Sequence, residues 1–131
     1  MTKQEAARIL TILKAAYPAT YRNITDNEAK GTIALWAAEF RIVPFEAVAM
    51  ALKNLIKTSK FSPTIAEVYK EVKGLYWEAS MQLIAINEDY SEAELAEFQR
   101  IKDMIEPLVR QDIELEEIAS GQHLGLTEGS R

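Results

Sequence analysis

The clearest structural signal in the chain lies in residues 64–86, which read TIAEVYKEVKGLYWEASMQLIAI. Apolar side chains recur there at intervals of three and four residues from Ile65 to Ile86, which is the spacing of one face of an α-helix. Thr64 and Glu67 have the spacing of a capping box, in which a hydroxyl and a carboxylate each accept a hydrogen bond from an otherwise unpaired amide at a helix start. The stretch therefore predicts a long helix that begins beside Thr64.

The same capping pattern occurs at three other places, each followed by apolar residues at helical spacing: Thr2 with Glu5, Thr25 with Glu28, and Ser91 with Glu94. Pro44 suits the first turn of another helix, where its missing amide hydrogen is not needed. Alternating strand patterns are almost absent. We therefore expect an all-α protein: a small bundle of about four N-terminal helices, followed by a long C-terminal helix or helical hairpin arm and a flexible tail.

Charge divides unevenly along the chain. Residues 1–73 carry 11 Lys or Arg against 7 Asp or Glu, whereas residues 74–131 carry 4 against 13. We predict a compact helical domain over residues 1–73, an acidic helical arm over residues 74–119 and a flexible tail over residues 120–131. The acidic arm either is a solvated helix face or attracts a basic partner. It packs within the chain as a hairpin, or another chain completes it.

Composition excludes several classes of function. The 131 residues include no Cys and one His, so thiolate, zinc-finger and redox sites are excluded and a histidine metal site is not expected. Lys30-Gly31-Thr32 resembles the end of a phosphate-binding loop, but the earlier glycine of that motif is missing. His123 lies in the predicted tail with nothing to orient it. We therefore expect no catalytic residues, no metal and no cofactor.

No stretch of about 18 apolar residues occurs, and no secretion signal is recognisable at the start. The expectation from the sequence is a cytoplasmic protein that does not bind a membrane.

Two groups of side chains have alternative interpretations. Lys53, Lys57 and Lys60 form a stripe that either keeps the protein soluble or follows a phosphate backbone. An aromatic set is either a partner pocket or core, and its helical spacing favours the core for most of its members. That set comprises Trp36, Phe40, Phe45 and Phe61.

The order of motifs along the first half of the chain is distinctive. The motifs are Thr2-Lys3-Gln4-Glu5, Ala15-Ala16-Tyr17-Pro18, Leu35-Trp36, Pro44-Phe45-Glu46, Ala51-Leu52 and the run from Phe61 to Val68. In this order they resemble the replicative-helicase loader and inhibitor proteins of bacteriophages that infect Gram-positive bacteria. The resemblance covers residues 1–73, and it departs from the family pattern at Ser62, where a second proline is common.

The resemblance implies a small, non-enzymatic protein of the bacterial host cell's cytoplasm. Such a protein is helical at its N-terminal end and contacts the helicase largely through its C-terminal part. It implies binding to the hexameric replicative helicase, restraint of its ATPase and unwinding activities, and its release when a phage origin-binding protein is met. We expect residues 92–118 to supply the helicase-facing surface. The predicted apolar anchors are Leu108, Ile113, Leu115 and Ile118, and the predicted orienting carboxylates are Glu114, Glu116 and Glu117.

Two other functions are consistent with the pattern. One is a small DNA-binding regulator whose third long helix, the one predicted to begin at Pro44, lies on the duplex through Lys53, Lys57 and Lys60. The net charge of −5 disfavours it, so we expect weak or no direct nucleic-acid binding. The other is a structural protein that dimerises through residues 65–118, and the sequence is compatible with either a monomer or a dimer.

Overall fold

The computed structural model describes residues 1–85 and 89–121, and over these residues the chain forms helices and no strands. The elements are α1 (Lys3–Ala16), α2 (Pro18–Tyr21), α3 (Asp26–Glu39), α4 (Phe45–Thr58), α5 (Ile65–Ile84) and α6 (Glu92–Ser120). The predicted all-α class, the N-terminal bundle and the long C-terminal helix are confirmed.

Side-chain caps fix where the long helices begin. Thr2, Thr64 and Ser91 each make both hydrogen bonds of a capping box, so α1, α5 and α6 start where the sequence predicts. At Thr25 the hydroxyl accepts from the Glu28 amide and also lies 3.0 Å from the Glu28 carboxylate, to which it donates. The predicted start of α3 is therefore also confirmed, with a variant of the box.

A short helix follows α1 directly. Pro18 ends α1, but it also occupies the first position of a short helix, α2, where the fixed proline φ is favourable. The Tyr17 amide donates to the Leu13 carbonyl oxygen at 2.8 Å and completes the last turn of α1. Pro18 has no amide hydrogen to continue the series, so the chain turns between α1 and α2 at this residue.

One core joins the two halves of the chain. Buried apolar side chains of α1, α3, α4 and α5 form a single cluster with those that α6 contributes. The residues from α6 are Ile101, Ile105, Leu108 and Val109. Helix α6 packs along α5 and also contacts α4, so the helical hairpin closes within the chain.

The predicted boundary between residues 73 and 74 lies inside α5, which is continuous through it. At the other end, α6 passes through Pro107 and ends at Ser120, where Gly121 adopts a left-handed φ of 80°. A residue with a Cβ is strained in that conformation, which makes glycine the natural helix terminator. The rest of the predicted tail, with His123, lies outside the described residues.

Candidate partner-binding surface

The last two turns of α6 are uncovered. Every side chain from Ile113 to Ser120 is exposed, and we call these residues the α6 end. Three of the predicted apolar anchors lie on it: Ile113, Leu115 and Ile118 are 46%, 56% and 50% exposed. Apolar side chains this accessible on consecutive turns are typical of a surface that another molecule covers.

These anchors occupy two sides of the helix. Successive residues are about 100° apart around a helix axis, so Leu115 and Ile118 lie within about 60° of each other. Ile113 is about 160° from Leu115 by the same spacing. Leu115 and Ile118 therefore form one apolar face, and Ile113 belongs to another, which borders α5.

Leu108 is a correction to the predicted set of anchors. Its side chain is 1% exposed and belongs to the core cluster. Leu115 follows it by seven residues and so shares its side of α6, but the helix has by then passed the part of the molecule that covers it. The same side of α6 is therefore buried at Leu108 and exposed at Leu115.

The α6 end is strongly acidic. Two nearby basic side chains are paired with other carboxylates, since Arg110 contacts Glu106 at 3.2 Å and Lys73 contacts Asp112 at 3.0 Å, and Lys70 lines a groove together with Glu116. Over the described residues, no such ion pair involves the three predicted orienting carboxylates, which are Glu114, Glu116 and Glu117. The last turn holds no basic residue to offset the negative end of the helix dipole. This surface therefore favours a positively charged partner.

Helix α5 carries an exposed apolar stripe that the sequence analysis did not single out. Trp77, Met81 and Ile84 are 54%, 63% and 74% exposed and are spaced at i, i+4 and i+7 on the helix. In the sequence these residues form a second apolar series at helical spacing, next to the series that faces the core. An apolar residue in a long helix is more often buried in the core, so the second series did not stand out. Trp77 and Ile113 line the same groove between α5 and α6.

The predicted lysine stripe is accessible. Lys53 and Lys57 are exposed on α4, and Lys60 is exposed in the connection between α4 and α5. The Lys60 ammonium lies 5.7 Å from the centre of the Phe61 ring. The three lysines thus belong to one exposed region at the end of α4.

Phe61 departs from the aromatic core that the spacing favours. Its side chain is 76% exposed, whereas Trp36 and Phe40 are buried. The loop that carries it is held on both sides: the Tyr17 hydroxyl donates to the Ser59 carbonyl at 2.9 Å, and the Tyr21 hydroxyl lies 2.7 Å from that of Ser62. Phe61 is consequently presented to solvent by a fixed loop.

The described residues offer no constellation for metal binding, because no three His, Asp or Glu side chains converge there. Lys30-Gly31-Thr32 lies within α3, where its amides take part in helical hydrogen bonding. In the described part of the chain, no helix combines the length and apolarity needed to cross a membrane.

A comparison with known protein families identifies the family to which the chain is related. Residues 1–69 match the family model for the N-terminal domain of the gene 39 protein, a phage helicase loader and inhibitor. The chain belongs to this family. No curated protein and no solved structure matches the chain.

The gene 39 protein family is the group of phage helicase loaders and inhibitors that the sequence motifs resemble. A member is a phage helicase-associated protein, and the family regulates a helicase without itself being an enzyme. The matched residues end within α5, so the family match includes the lysines and Phe61 but not the α6 end.

Proposed function

We propose that this protein is a phage DNA-replication adaptor. It binds the hexameric replicative helicase, restrains its ATPase and unwinding activities, and delivers it to the origin, where a phage origin-binding protein triggers its release. The observation that carries the proposal is the match to the helicase loader and inhibitor family over residues 1–69.

The α6 end is the surface that we assign to the helicase. Leu115 and Ile118 supply an exposed apolar face that a partner can remove from water. Glu114 lies about 40° from Ile118 around the helix axis, and Glu116 and Glu117 each lie about 100° from the nearer of the two apolar residues. The three carboxylates favour encounter with basic side chains, which sets orientation and association rate more than affinity. Because this part of α6 is already helical, binding loses less conformational entropy than the folding of a disordered segment would.

The first test is co-elution of the purified protein with a hexameric replicative helicase of its host or phage, with and without ATP. A stable complex and a reduced helicase ATPase rate are expected. Absence of a complex with a demonstrably active hexamer under both conditions contradicts the proposal.

The surface is tested by the double substitution Leu115→Ser and Ile118→Ser. We expect the dissociation constant for the helicase to rise roughly tenfold or more, since apolar anchors at the centre of an interface contribute most of its affinity. The matched control replaces two exposed apolar residues of other helices, Ile12→Ser in α1 and Leu35→Ser in α3, and leaves binding unchanged. Equal affinities of the two variants would show that the α6 end is not the helicase-facing surface.

A second candidate function rests on the loop after α4. Phe61 is exposed, the Lys60 ammonium lies 5.7 Å from the centre of its ring, and Lys57 is exposed near the end of α4. An exposed aromatic ring close to a lysine suits stacking with a nucleic-acid base. In this case a labelled single strand binds to the protein alone and its affinity falls steeply as salt rises. Binding that Phe61→Ala abolishes would favour this function over the adaptor.

A further inference from the structure

The corner between α1 and α2 and the loop after α4 form the two walls of a recess of about 450 Å³. Its lining includes the exposed side chains of Ala16, Pro18 and Phe61. Lys60 and the buried Tyr17 complete it, and the Tyr17 hydroxyl donates to a carbonyl of the loop after α4. We call this feature the α1–α4 recess, and its apolar lining is open to solvent.

The recess lies in the most basic part of the chain. Residues 6–25 and 47–66, which contain its two walls, each carry three Lys or Arg and no Asp or Glu. None of these six basic side chains forms an ion pair within the described structure. The acidic residues Glu28 and Glu67 follow the two segments, and each accepts a hydrogen bond from the threonine that caps its own helix. An apolar recess with unpaired positive charge around it favours an acidic partner that carries apolar anchors.

The α6 end of a second copy of the chain has this chemistry. It presents Leu115 and Ile118 on one face, and it carries three Glu and no Lys or Arg. The two apolar side chains can enter the recess against Pro18 and Phe61, and the carboxylates then meet the surrounding ammonium groups. The protein thus carries both halves of a complementary pair of surfaces.

Both surfaces lie toward the same end of the molecule. Lys73, in the first half of α5, pairs with Asp112, which is close to the α6 end. Tyr90, just before α6, donates a hydrogen bond to Gln82 near the end of α5. The two helices therefore run antiparallel, and the α6 end lies beside the first turns of α5, which Phe61 precedes by four residues. A two-fold axis can place each recess against the α6 end of the other copy, as the reciprocal contacts of a homodimer require.

We propose that the protein forms a two-fold dimer in which the α6 end of each copy occupies the α1–α4 recess of the other, with carboxylates of the α6 end opposite Lys57 and Lys60. The dimer covers the apolar face that we assign to the helicase, so dimerisation and helicase binding compete. This competition rests on the proposed function, whereas the dimer itself does not.

Charge reversal on each surface, followed by mixing, tests the contact. The recess variant carries Lys57→Glu and Lys60→Glu, and the α6 variant carries Glu114→Lys and Glu117→Lys. Sedimentation velocity of the original protein should show a dimer whose proportion rises with protein concentration and falls with salt. We expect the dissociation constant of the dimer to rise roughly tenfold or more in each variant alone. An equimolar mixture of the two variants should dimerise like the original protein, because every reversed surface then meets one of opposite charge.

The matched control for the recess variant is Lys3→Glu with Lys30→Glu, which makes the same change in net charge at exposed positions outside both surfaces. It should leave dimerisation unchanged, and circular dichroism should show that all the variants are as helical as the original protein. Because dimerisation competes with helicase binding, the recess variant should bind the helicase at least as tightly as the original protein.

Several outcomes overturn the inference. An original protein that is monomeric at every concentration excludes the dimer, and co-elution with the helicase then leaves the adaptor function standing. A dimer that both variants retain, or a mixture that does not restore dimerisation, places the contact elsewhere. A labelled single strand that binds to the original protein but not to the recess variant, without any dimer, assigns the recess to nucleic acid. A dimer that fails to bind an active helicase contradicts the proposed function alone.

Discussion

Ser80 is a buried polar residue whose hydroxyl has no hydrogen-bond partner among the described residues. An unsatisfied hydroxyl keeps its desolvation cost without a compensating bond, and alanine is the better helix former. We expect Ser80→Ala to raise the free energy of unfolding by about 1 kcal/mol, measured by chemical denaturation.

The matched control is the same substitution at Ser91, which caps α6. Ser91→Ala should lower the free energy of unfolding by about 1 kcal/mol because the capping hydrogen bond is lost. Both variants make the same Ser→Ala change, so opposite changes in the free energy of unfolding would show that the position of the serine determines the effect. A loss of stability in Ser80→Ala would show that its hydroxyl has a partner in solution.

Phe61 and Leu108 show what sequence spacing leaves undetermined for a single residue. Phe61 belongs to an aromatic set predicted to be mostly core and Leu108 is predicted to be a partner-facing anchor, yet Phe61 is 76% exposed and Leu108 is 1% exposed. Spacing identifies the side of a helix on which a residue lies. It does not show how far the neighbouring helices extend to cover that side, nor that Tyr17 and Tyr21 hold the loop outward.

At the scale of elements, the capping boxes made the starts of α1, α5 and α6 predictable because they involve contacts only three residues apart. How far two helices stay packed against each other depends on residues that are distant in sequence, so it could not be predicted from local spacing. Helix α6 has 29 residues, or about 43 Å, against 20 for α5. This difference in length accompanies the uncovered α6 end, which the sequence identified only as a charged apolar segment.

The capping box of α5 also makes its stability depend on pH. Hydrogen bonds from the Thr64 amide and hydroxyl lower the pKa of Glu67 below its usual value of 4.5. Since the folded-state pKa is the lower one, the stabilisation is present above the unfolded-state pKa and is lost as pH falls through the folded-state pKa. Glu67→Gln keeps a polar N3 side chain but does not titrate.

We therefore expect the free energy of unfolding of Glu67→Gln to fall less steeply than that of the original protein as the pH is lowered from neutral to below 4.5. Chemical denaturation at a series of pH values measures this slope. Parallel curves for the two proteins would exclude the α5 cap as a source of acid sensitivity.

At the scale of the whole molecule, the charge division along the chain suggested a boundary at residue 73, but charge follows the surface and not the core. Helix α5 crosses that position, and its Val68 and Val72 belong to the same buried cluster as Ile105 from α6. The surface charge therefore changes at a position where the packing of the core is continuous. The division into separate units stays a prediction that unfolding experiments can decide.

Trp36 reports on this question because it is buried in α3, far in sequence from α6, and Trp77→Phe leaves it as the single tryptophan. In that background, Leu108→Ala removes core volume from α6 and should lower stability by about 2–5 kcal/mol. If the core is one cooperative unit, the unfolding transition seen by Trp36 fluorescence shifts by the same amount as the helical circular dichroism signal. Leu115→Ala, at an exposed position of the same helix, should shift neither. A Trp36 transition that Leu108→Ala does not move would mean that the N-terminal helices fold independently of α6, and the acidic helix would then act as a separable arm.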